Sequence, residues 1–532
     1  MESEKLQMES ETYKRNDYCC GYNALAVLSI FRSPLSIIFL LLILSAGTLR
    51  FYNLGTWSFG YDELFTILET KVFFGETPVP DEYLCGGTVK PEDTQYYRLP
   101  RLLFASYTVH WLGYQLFGED EFGSRFLMAI LGTLNVGVIF LLAQPLIGFA
   151  GALILALLVM LLPEHILHSQ CNRFYIQSFL LVSVVILLGA KVAVRRSLTA
   201  VFWLGVFAIV MVLSNSLSGI IWGGVVIGIC VQIGSTLNSN QTLFSGKEGK
   251  IILVLTAWSV VLLGIFVFHI VPLAVSWNDS SSWGYTPLHA AMAFVNMLGW
   301  SLFLFAILGA GVALLNLQGY GNCYWLTLVM VSGVSVFLLP LKIIYNPFYG
   351  FLFIFPFLIT ASIFIREIYL FLLQPIVSDV RAKFHLRFIL AVFWVIIAIF
   401  MNFPSFISYY QDGNRPDHRA AFQYVAEHWE DGDCLTGFLM GTAQYYIPDK
   451  TPRIPLRTEN TAERLQTILD QEIDGNNRLW IVLHSSRGGL DHQLRQWLSE
   501  HAIFKKIITK KRFDYAENNV EIFLVHKKTS RK

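Results

Sequence analysis

Long apolar stretches alternate with short polar segments over most of the chain. A transmembrane helix needs about 20 consecutive, mostly apolar residues, and strings such as "IILVLTAWSVVLLGIFVFHIV" meet that requirement. Only helices and closed barrels satisfy their backbone groups in lipid, so each stretch predicts a helix. The eleven predicted spans are residues 34–54, 126–147, 150–167, 174–192, 199–216, 218–234, 251–272, 289–316, 324–341, 348–366 and 387–404.

Basic residues in the short loops predict how these spans are oriented. Lys and Arg are retained on the cytoplasmic side of a membrane, and three clusters of them fall on one side of the predicted topology. The tail at residues 1–33 is then cytoplasmic, whereas the loop at 55–125 and everything after residue 404 are extracytoplasmic. Segment 100–118 is apolar but carries Arg101 and His110, and we expect it at the membrane interface. The three clusters consist of Lys191, Arg195 and Arg196, of Lys247 and Lys250, and of Arg366, Arg381, Lys383 and Arg387.

The last part of the chain, residues 405–532, has a different pattern. "DHRAAFQYVAEHW" and "AERLQTILDQEI" place apolar residues at helical spacing, whereas "RLWIVLH" and "NVEIFLVH" are typical of buried strands. This alternation predicts a small soluble α/β domain. We therefore expect a polytopic α-helical membrane region at 34–404, preceded by the tail at 1–33 and followed by this domain.

Composition agrees with a membrane protein and argues against a nucleic-acid-binding protein and against a disulfide- or zinc-stabilised fold. Hydrophobic residues make up 54% of the chain and charged residues only 14%, against roughly 25% charged residues in soluble domains. A net charge of +1, with basic residues scattered through the loops, excludes a nucleic-acid partner. Seven cysteines at irregular spacing form neither a disulfide framework nor a zinc pattern.

Two adjacent carboxylates, Asp62 and Glu63, stand where the chain leaves the first span, in "FYNLGTWSFGYDELFTILET". Ser58 is placed to cap a helix that starts near Phe59. One explanation is that acidic residues in a first helical turn are favoured by the helix dipole, by about 0.3–1 kcal/mol. The other is a functional site, which requires further polar groups at the same depth.

Such groups occur on the same predicted side of the membrane. A charge near the bilayer centre costs at least ~2.5–3.5 kcal/mol, so charged residues in or beside apolar stretches have partners. A structural ion pair, for example between Arg173 and Glu164, is one explanation; an anionic lipid substrate bound by guanidinium and imidazole groups is the other. The residues concerned are Arg98, Arg101, Glu164, His165, His168 and Arg173.

The order of three segments, "GYDELFT", "LFGEDEFGSRFLMAILG" and "LPEHILHSQCNRFYIQS", resembles a known family. Together they are similar to the GT-C superfamily of membrane glycosyltransferases, near the dolichyl-phosphate-mannose-protein mannosyltransferases and the aminoarabinose lipid A transferases (glycosyltransferase family 39-like). The similarity covers mainly residues 45–190, and the later spans agree only in architecture. The resemblance implies a GT-C-like fold of about 11 transmembrane helices.

It also implies transfer of a monosaccharide from a polyprenyl-phosphate carrier to a lipid, glycan or protein acceptor at the outer membrane face, usually with inversion. Asp62 would be the catalytic base or an acceptor-orienting carboxylate, and Glu63 would be its neighbour in the catalytic site. Arg173 and Tyr175 would match an Arg-x-Tyr segment near the carrier phosphate. We also expect His168 in the substrate site.

This sequence departs from the family pattern in two places. "YRLPRL" replaces a His-Pro-Pro or Lys-x-Pro type loop, so Arg98 would supply its cation, and Arg101 is a further substrate-binding candidate in the same loop. "NPFYGFLFIFPFL" resembles the family's later Arg-Tyr segment but lacks its Arg, and Lys342 would supply that charge near Tyr349. These departures leave the donor sugar open and allow an inactive GT-C-like scaffold.

A transporter or lipid-handling protein without catalysis is the other alternative, although the later spans carry few polar residues. No cofactor is required by the sequence, but His and carboxylate residues in the outer loops could hold a divalent cation without matching any known spacing. The expected partners are the carrier-linked donor, an acceptor and membrane lipids. The expected location is a multi-pass membrane protein of the cell envelope, with a bacterial inner membrane favoured over the endoplasmic reticulum.

Overall fold

The computed structural model is mostly helical and describes a large part of the chain. The predicted eleventh span (387–404), Arg98, Arg101 and Lys342 lie outside the described residues. The described residues are 34–78, 104–237, 246–267, 286–315, 321–338, 347–373, 407, 409–411, 416–437, 440–456, 461–472, 478–484, 492–509 and 519–526.

The membrane part contains thirteen described helices. A short 3₁₀ helix, Ser216–Ser218, precedes α8, and another, Pro347–Phe353, precedes α13. The helices are α1 (Pro34–Phe51), α2 (Tyr61–Phe73), α3 (Phe104–Phe117), α4 (Gly123–Leu161), α5 (Pro163–Ser169), α6 (Tyr175–Arg195), α7 (Leu198–Ser214), α8 (Gly219–Ser235), α9 (Gly246–Ile265), α10 (Pro287–Leu298), α11 (Trp300–Leu315), α12 (Asn322–Leu338) and α13 (Ile354–Leu373).

Five stretches among the described residues are long and apolar enough to cross a membrane: Gly123–Leu161, Tyr175–Arg195, Ser216–Ser235, Gly246–Ile265 and Tyr349–Ile368. Helices α1, α7 and α12 are apolar but shorter. The predicted span at 289–316 is not one continuous helix, because α10 and α11 meet at an angle of 96°. Gly299 between them has φ +85°, a left-handed value that ends a helix and that glycine tolerates best. The total of eleven spans stays a prediction.

Helix α4 is interrupted between the second and third predicted spans. Gly148 has φ +77°, and Pro145 just before it lacks the N–H that would continue the helix. Arg195 Nη2 donates to the Pro145 carbonyl at 2.8 Å and Arg366 Nη1 donates to the Ile147 carbonyl at 3.0 Å. These two arginines belong to different predicted basic clusters, so both clusters reach the same end of the helix bundle.

The third predicted span ends earlier than expected. Helix α4 stops at Leu161, and Pro163 begins the short helix α5. Proline favours the first turn of a new helix, so the segment predicted as the end of a span at residue 167 instead forms a separate short helix and the turn after it. That turn carries the polar residues of the candidate site.

The C-terminal part forms a five-stranded mixed sheet in the order β2-β1-β3-β5-β4. Strand β1 pairs in parallel with β2 and β3, whereas β5 pairs antiparallel with β3 and β4. Its elements are α14 (His418–Glu427), β1 (Cys434–Gly437), α15 (Met440–Tyr446), β2 (Arg453–Pro455), α16 (Thr461–Thr467), β3 (Arg478–His484), α17 (His492–His501), β4 (Ile503–Ile508) and β5 (Val520–His526).

Helices cover both faces of this sheet, as alternation along β3 requires. Leu479 and Ile481 face α16 and α17, whereas Trp480 and Val482 face α14 and α15. Both predicted strand segments form strands, and both predicted helical segments form helices.

A buried carboxylate joins β1 to β3 at the end of the sheet where these two parallel strands begin. Asp433 accepts hydrogen bonds from Arg478 Nε at 2.8 Å and Nη2 at 2.7 Å, and from Trp480 Nε1 at 2.8 Å. Burial by itself raises the pKa of Asp433, but the bonds from Arg478, Trp480 and the Glu430 backbone outweigh burial and hold the pKa below its usual range.

Candidate functional site

The site begins at the amino end of α2, which carries the predicted carboxylate pair. Gly60 is the residue before the helix, and Glu63 Oε2 accepts the Gly60 N–H at 2.9 Å. Ser58 does not cap α2, contrary to the sequence-based prediction. Its hydroxyl donates instead to the Pro416 carbonyl at 2.9 Å, because the C-terminal part of the chain packs against this segment.

Glu63 lies in a fully buried ion pair with Arg125, near the start of α4. Arg125 donates to Glu63 through Nε and Nη2, each at 2.9 Å, and the two side chains are only 0% and 2% exposed. The other N–H groups of Arg125 point to the carbonyls of Leu54 (3.2 Å), Trp57 (2.7 Å) and Ser58 (3.1 Å). All five guanidinium N–H groups are thus used.

Glu63 also fixes the loop between α5 and α6. Its Oε1 accepts the Asn172 backbone N–H at 2.8 Å, and the Asn172 amide donates to the Glu63 carbonyl at 3.3 Å. The carboxylate therefore joins α2, α4 and the 170–174 loop. This arrangement makes Glu63 an anchor for the segments around the site.

Asp62, in contrast to Glu63, is only partly buried. Arg173 Nη1 donates to the Asp62 carbonyl at 3.2 Å and to Thr66 Oγ1 at 2.8 Å, so the guanidinium lies along the first turns of α2. Burial by itself lowers the pKa of Arg173, but the charge of Asp62 together with Tyr175, Glu69 and Tyr349 outweighs burial, and the pKa lies above its usual range. Asp62 and Arg173 thus form one electrostatic unit.

Aromatic rings surround this unit. The Arg173 guanidinium carbon lies 4.9 Å from the Phe174 ring centroid and 5.9 Å from that of Tyr175. Tyr175 in turn lies 6.5 Å from Tyr349 and 4.8 Å from His168, measured between ring centroids. Four of the predicted substrate-site residues, His168, Arg173, Tyr175 and Tyr349, therefore come together beside Asp62.

Glu164 faces His168 and not Arg173. The Glu164 carboxylate lies 3.7 Å from His168 Nε2, one helical turn away on α5. Arg173 instead donates hydrogen bonds to the Asp62 main-chain carbonyl and to Thr66 Oγ1. The alternative of a structural ion pair between Arg173 and Glu164 is therefore wrong.

A second buried arginine holds α5 in place. Arg50, at the end of α1, donates through Nη2 to His165 Nδ1 at 2.7 Å. An arginine can only donate, so His165 Nε2 carries the imidazole proton. Asn135 Nδ2 lies 3.2 Å from that nitrogen and, among the described residues, Asn135 Oδ1 has no hydrogen-bond partner. Two donors cannot bond each other, so the amide is assigned in the flipped orientation, in which its oxygen accepts from His165. His165 is thus a neutral structural link between α1, α4 and α5.

Gln170 ties the same loop to the end of α1 and to the C-terminal part. Its Nε2 donates to the carbonyls of Arg50 at 3.0 Å and Tyr52 at 2.8 Å, and its oxygen accepts the Tyr409 hydroxyl. The loop that presents Arg173 is therefore fixed by two buried amide side chains, those of Gln170 and Asn172.

Sequence reasoning missed Arg125, Asn172 and Arg50 as determinants of the site. Arg125 stands in the quoted segment "LFGEDEFGSRFLMAILG", and an arginine entering an apolar span signals a buried partner. Among the residues described, no group of three or more His, Cys, Asp or Glu side chains is placed to hold a metal ion. The divalent cation therefore stays a prediction.

Comparison with known proteins gives structural relatives at low sequence identity. ArnT from Cupriavidus metallidurans in the apo state shares 13% identity over 92% of this chain and 98% of its own, with a TM-score of 0.56. The same protein bound to undecaprenyl phosphate gives a TM-score of 0.53 at equal identity and coverage. The oligosaccharyltransferase of Archaeoglobus fulgidus in the apo form shares 11% identity over 91% of this chain and 74% of its own, with a TM-score of 0.55.

No protein-family model matches the sequence, and no curated protein sequence matches it. At 11–13% identity the structural likeness concerns the fold and not the substrate. Both relatives align over more than nine-tenths of this chain. The chain therefore has the GT-C fold that its sequence resembled.

Proposed function

We propose that this chain is a membrane glycosyltransferase that moves a monosaccharide from a polyprenyl-phosphate carrier to an acceptor. The acceptor would be a lipid, glycan or protein at the outer face of the membrane, and the sugar would be a hexose or pentose. The GT-C fold supports this class, and one of its structural relatives was crystallised bound to undecaprenyl phosphate.

The pairing of Asp62 with Arg173 is the observation that carries the proposal. The two residues are 111 positions apart in sequence, yet Arg173 Nη1 donates to the main-chain carbonyl of Asp62 at 3.2 Å, and the Asp62 charge helps to raise the pKa of Arg173. A carboxylate that can accept a proton and a guanidinium that can bind a phosphate are thus neighbours in one partly exposed site. Group transfer from a phosphate carrier needs both types.

Asp62 and Arg173 would each have one role in the reaction. Asp62 takes the proton of an acceptor hydroxyl or amine as that group attacks the anomeric carbon, which a positioned carboxylate accelerates by about 10²- to 10⁴-fold. The bond between the anomeric carbon and the phosphate oxygen breaks on the opposite side, so the anomeric configuration inverts. The departing polyprenyl phosphate carries the negative charge, and Arg173 meets it with a planar fork of N–H donors.

The aromatic rings beside Arg173 would bind the carrier and the sugar. Tyr175, Tyr349 and His168 form one side of the site, and sugar faces and phosphate oxygens are bound well by aromatic rings with polar tips. Arg98, Arg101 and Lys342 are proposed as further cations. Under this proposal residues 34–404 form the catalytic membrane region and residues 405–532 an extracytoplasmic domain.

The test measures release of polyprenyl phosphate and transfer of label by the purified full chain. A panel of radiolabelled polyprenyl-phosphate sugars is offered with crude envelope acceptors. We expect turnover by the wild type and at least a 10²-fold loss in Asp62→Asn, since the base is lost while the side chain keeps its size.

Glu119→Gln is the matched control, because it removes a carboxylate from the outer surface, where Glu119 pairs with Lys71 at 2.8 Å. We expect this variant to keep full activity. Equal activity of Asp62→Asn and Glu119→Gln would remove Asp62 as the base. A folded wild type that releases no polyprenyl phosphate from any donor would contradict the proposal and favour a transporter or an inactive scaffold.

A further inference from the structure

The loop at residues 57–60, which leads into α2, is held from two opposite sides. From the membrane part, Arg125 donates to the Trp57 carbonyl at 2.7 Å and to the Ser58 carbonyl at 3.1 Å. From the C-terminal part, the Tyr446 hydroxyl accepts the Phe59 N–H at 2.6 Å. A clamp of this kind fixes the backbone immediately before the helix that carries Asp62.

The Tyr446 hydroxyl connects the loop to a second contact between the two parts. It donates to Glu121 Oε1 at 2.9 Å while it accepts the Phe59 N–H, and Glu121 also accepts a bond from Arg419. Burial, followed by the charge of Glu121, raises the pKa of Tyr446 above its usual range. The hydroxyl therefore keeps the proton that it donates.

The side chain of Phe59 packs between the membrane part and the C-terminal part. It is fully buried, with the Arg125 guanidinium carbon 5.2 Å from its ring centroid on one side and the Tyr445 ring at 5.2 Å, edge to face, on the other. The loop therefore cannot shift without disturbing either the buried Arg125–Glu63 pair or the Tyr446 contact.

We infer that Tyr446, in the C-terminal part of the chain, is a positioning residue for Asp62. Phe59 precedes Asp62 by three residues, so displacement of its backbone moves the first turn of α2. A catalytic base must lie within ~2.6–3.2 Å of its proton, and a shift of about 1 Å reduces rates by about 10²-fold. The inference rests on the proposed function and adds that the C-terminal part completes the reacting geometry.

The test compares two identical substitutions at adjacent tyrosines in the full chain. Tyr446→Phe keeps the ring but removes the hydroxyl that binds both Phe59 and Glu121. Tyr445→Phe removes a hydroxyl that makes no hydrogen bond to the part of the chain that the structure describes, while its ring still packs on Phe59. We expect kcat to fall about 10- to 100-fold in Tyr446→Phe and to stay at the wild-type value in Tyr445→Phe.

The two kinetic constants distinguish positioning from a merely structural role. Arg173 and Tyr175 are untouched, so the KM for the carrier-linked donor should stay within about twofold while kcat falls. A kcat of Tyr446→Phe equal to that of Tyr445→Phe would overturn the inference, as would a loss that disappears after correction for the folded fraction. An inactive wild type would instead contradict the proposed function itself.

A second substitution tests the same inference if Tyr446→Phe does not fold. Arg419→Gln leaves the hydroxyl of Tyr446 in place but removes the guanidinium that also binds Glu121. We expect a smaller decrease in kcat, about three- to tenfold, again with little change in KM. Wild-type kcat in this variant would overturn the inference.

Discussion

Substituting glutamine for Glu63 separates an anchoring role from a catalytic one. The carboxylate accepts four hydrogen bonds: from Arg125 Nε and Nη2 at 2.9 Å each, from the Asn172 N–H at 2.8 Å and from the Gly60 N–H at 2.9 Å. Glutamine keeps the shape but replaces one acceptor oxygen with an NH₂ group that faces other donors. It also leaves a buried guanidinium without its opposite charge. Breaking such a pair costs about 3–5 kcal/mol.

The assay is thermal unfolding of purified full chains in one detergent. The reference is Glu119→Gln, because Lys71 and Glu119 are 32% and 41% exposed and an exposed pair of this kind contributes about 0–1 kcal/mol. We expect a large decrease in the unfolding temperature for Glu63→Gln and a small one for the reference. Adding Arg125→Met should recover part of the loss, since the orphaned charge is then removed as well.

One outcome would refute this reasoning directly. If Glu63→Gln unfolds at the same temperature as Glu119→Gln but transfers no sugar, the carboxylate is not an anchor. Glu63 would then belong to the reacting groups, as the sequence-based prediction held. Loss of stability together with loss of activity is the expected result, because the loop that presents Arg173 depends on the same carboxylate.

Three further predictions concern the site and its surroundings. Arg173→Lys should reduce kcat by about 10²-fold in the label-transfer assay, because an ammonium replaces a fork of donors; unchanged kcat would remove Arg173 from the phosphate site. Gly132→Ala should reduce the free energy of unfolding by about 1–3 kcal/mol, because a Cβ there would lie 2.1 Å from Ser169 Oγ. The measurement is a lower unfolding temperature. Gly311→Ala, where a Cβ meets nothing within 4 Å, is its control and should be neutral or stabilising. The folded-state pKa of Asp433 is lowered by its guanidinium and indole partners, so its contribution to stability is present above the unfolded-state pKa and is lost as pH falls through the folded-state pKa. Wild-type stability should therefore fall on acidification below about pH 4 more steeply than that of Asp433→Asn, as followed by thermal unfolding; parallel pH profiles would contradict this.

Much of the architecture could be predicted because hydrophobic periodicity is a local property. Seven consecutive residues around Trp480 and eight around Phe523 predict strands, and both segments form strands. Boundaries were less well predicted where one residue changes the backbone direction. Gly299 divides a predicted span into two helices, and Pro163 ends another early, since conformations at glycine and proline depend on what the neighbouring segments require.

The sequence by itself determined that the chain is a helical membrane protein, that basic residues favour one side, and that a carboxylate pair stands at the start of α2. It could not assign different roles to the two carboxylates. Adjacent helical residues point about 100° apart, and only packing decides which one faces Arg125 and which one faces Arg173. Glu63 is the buried anchor because Arg125, 62 residues away in sequence, packs against it, whereas Asp62 stays partly exposed and Arg173, 111 residues away, bonds to its main-chain carbonyl.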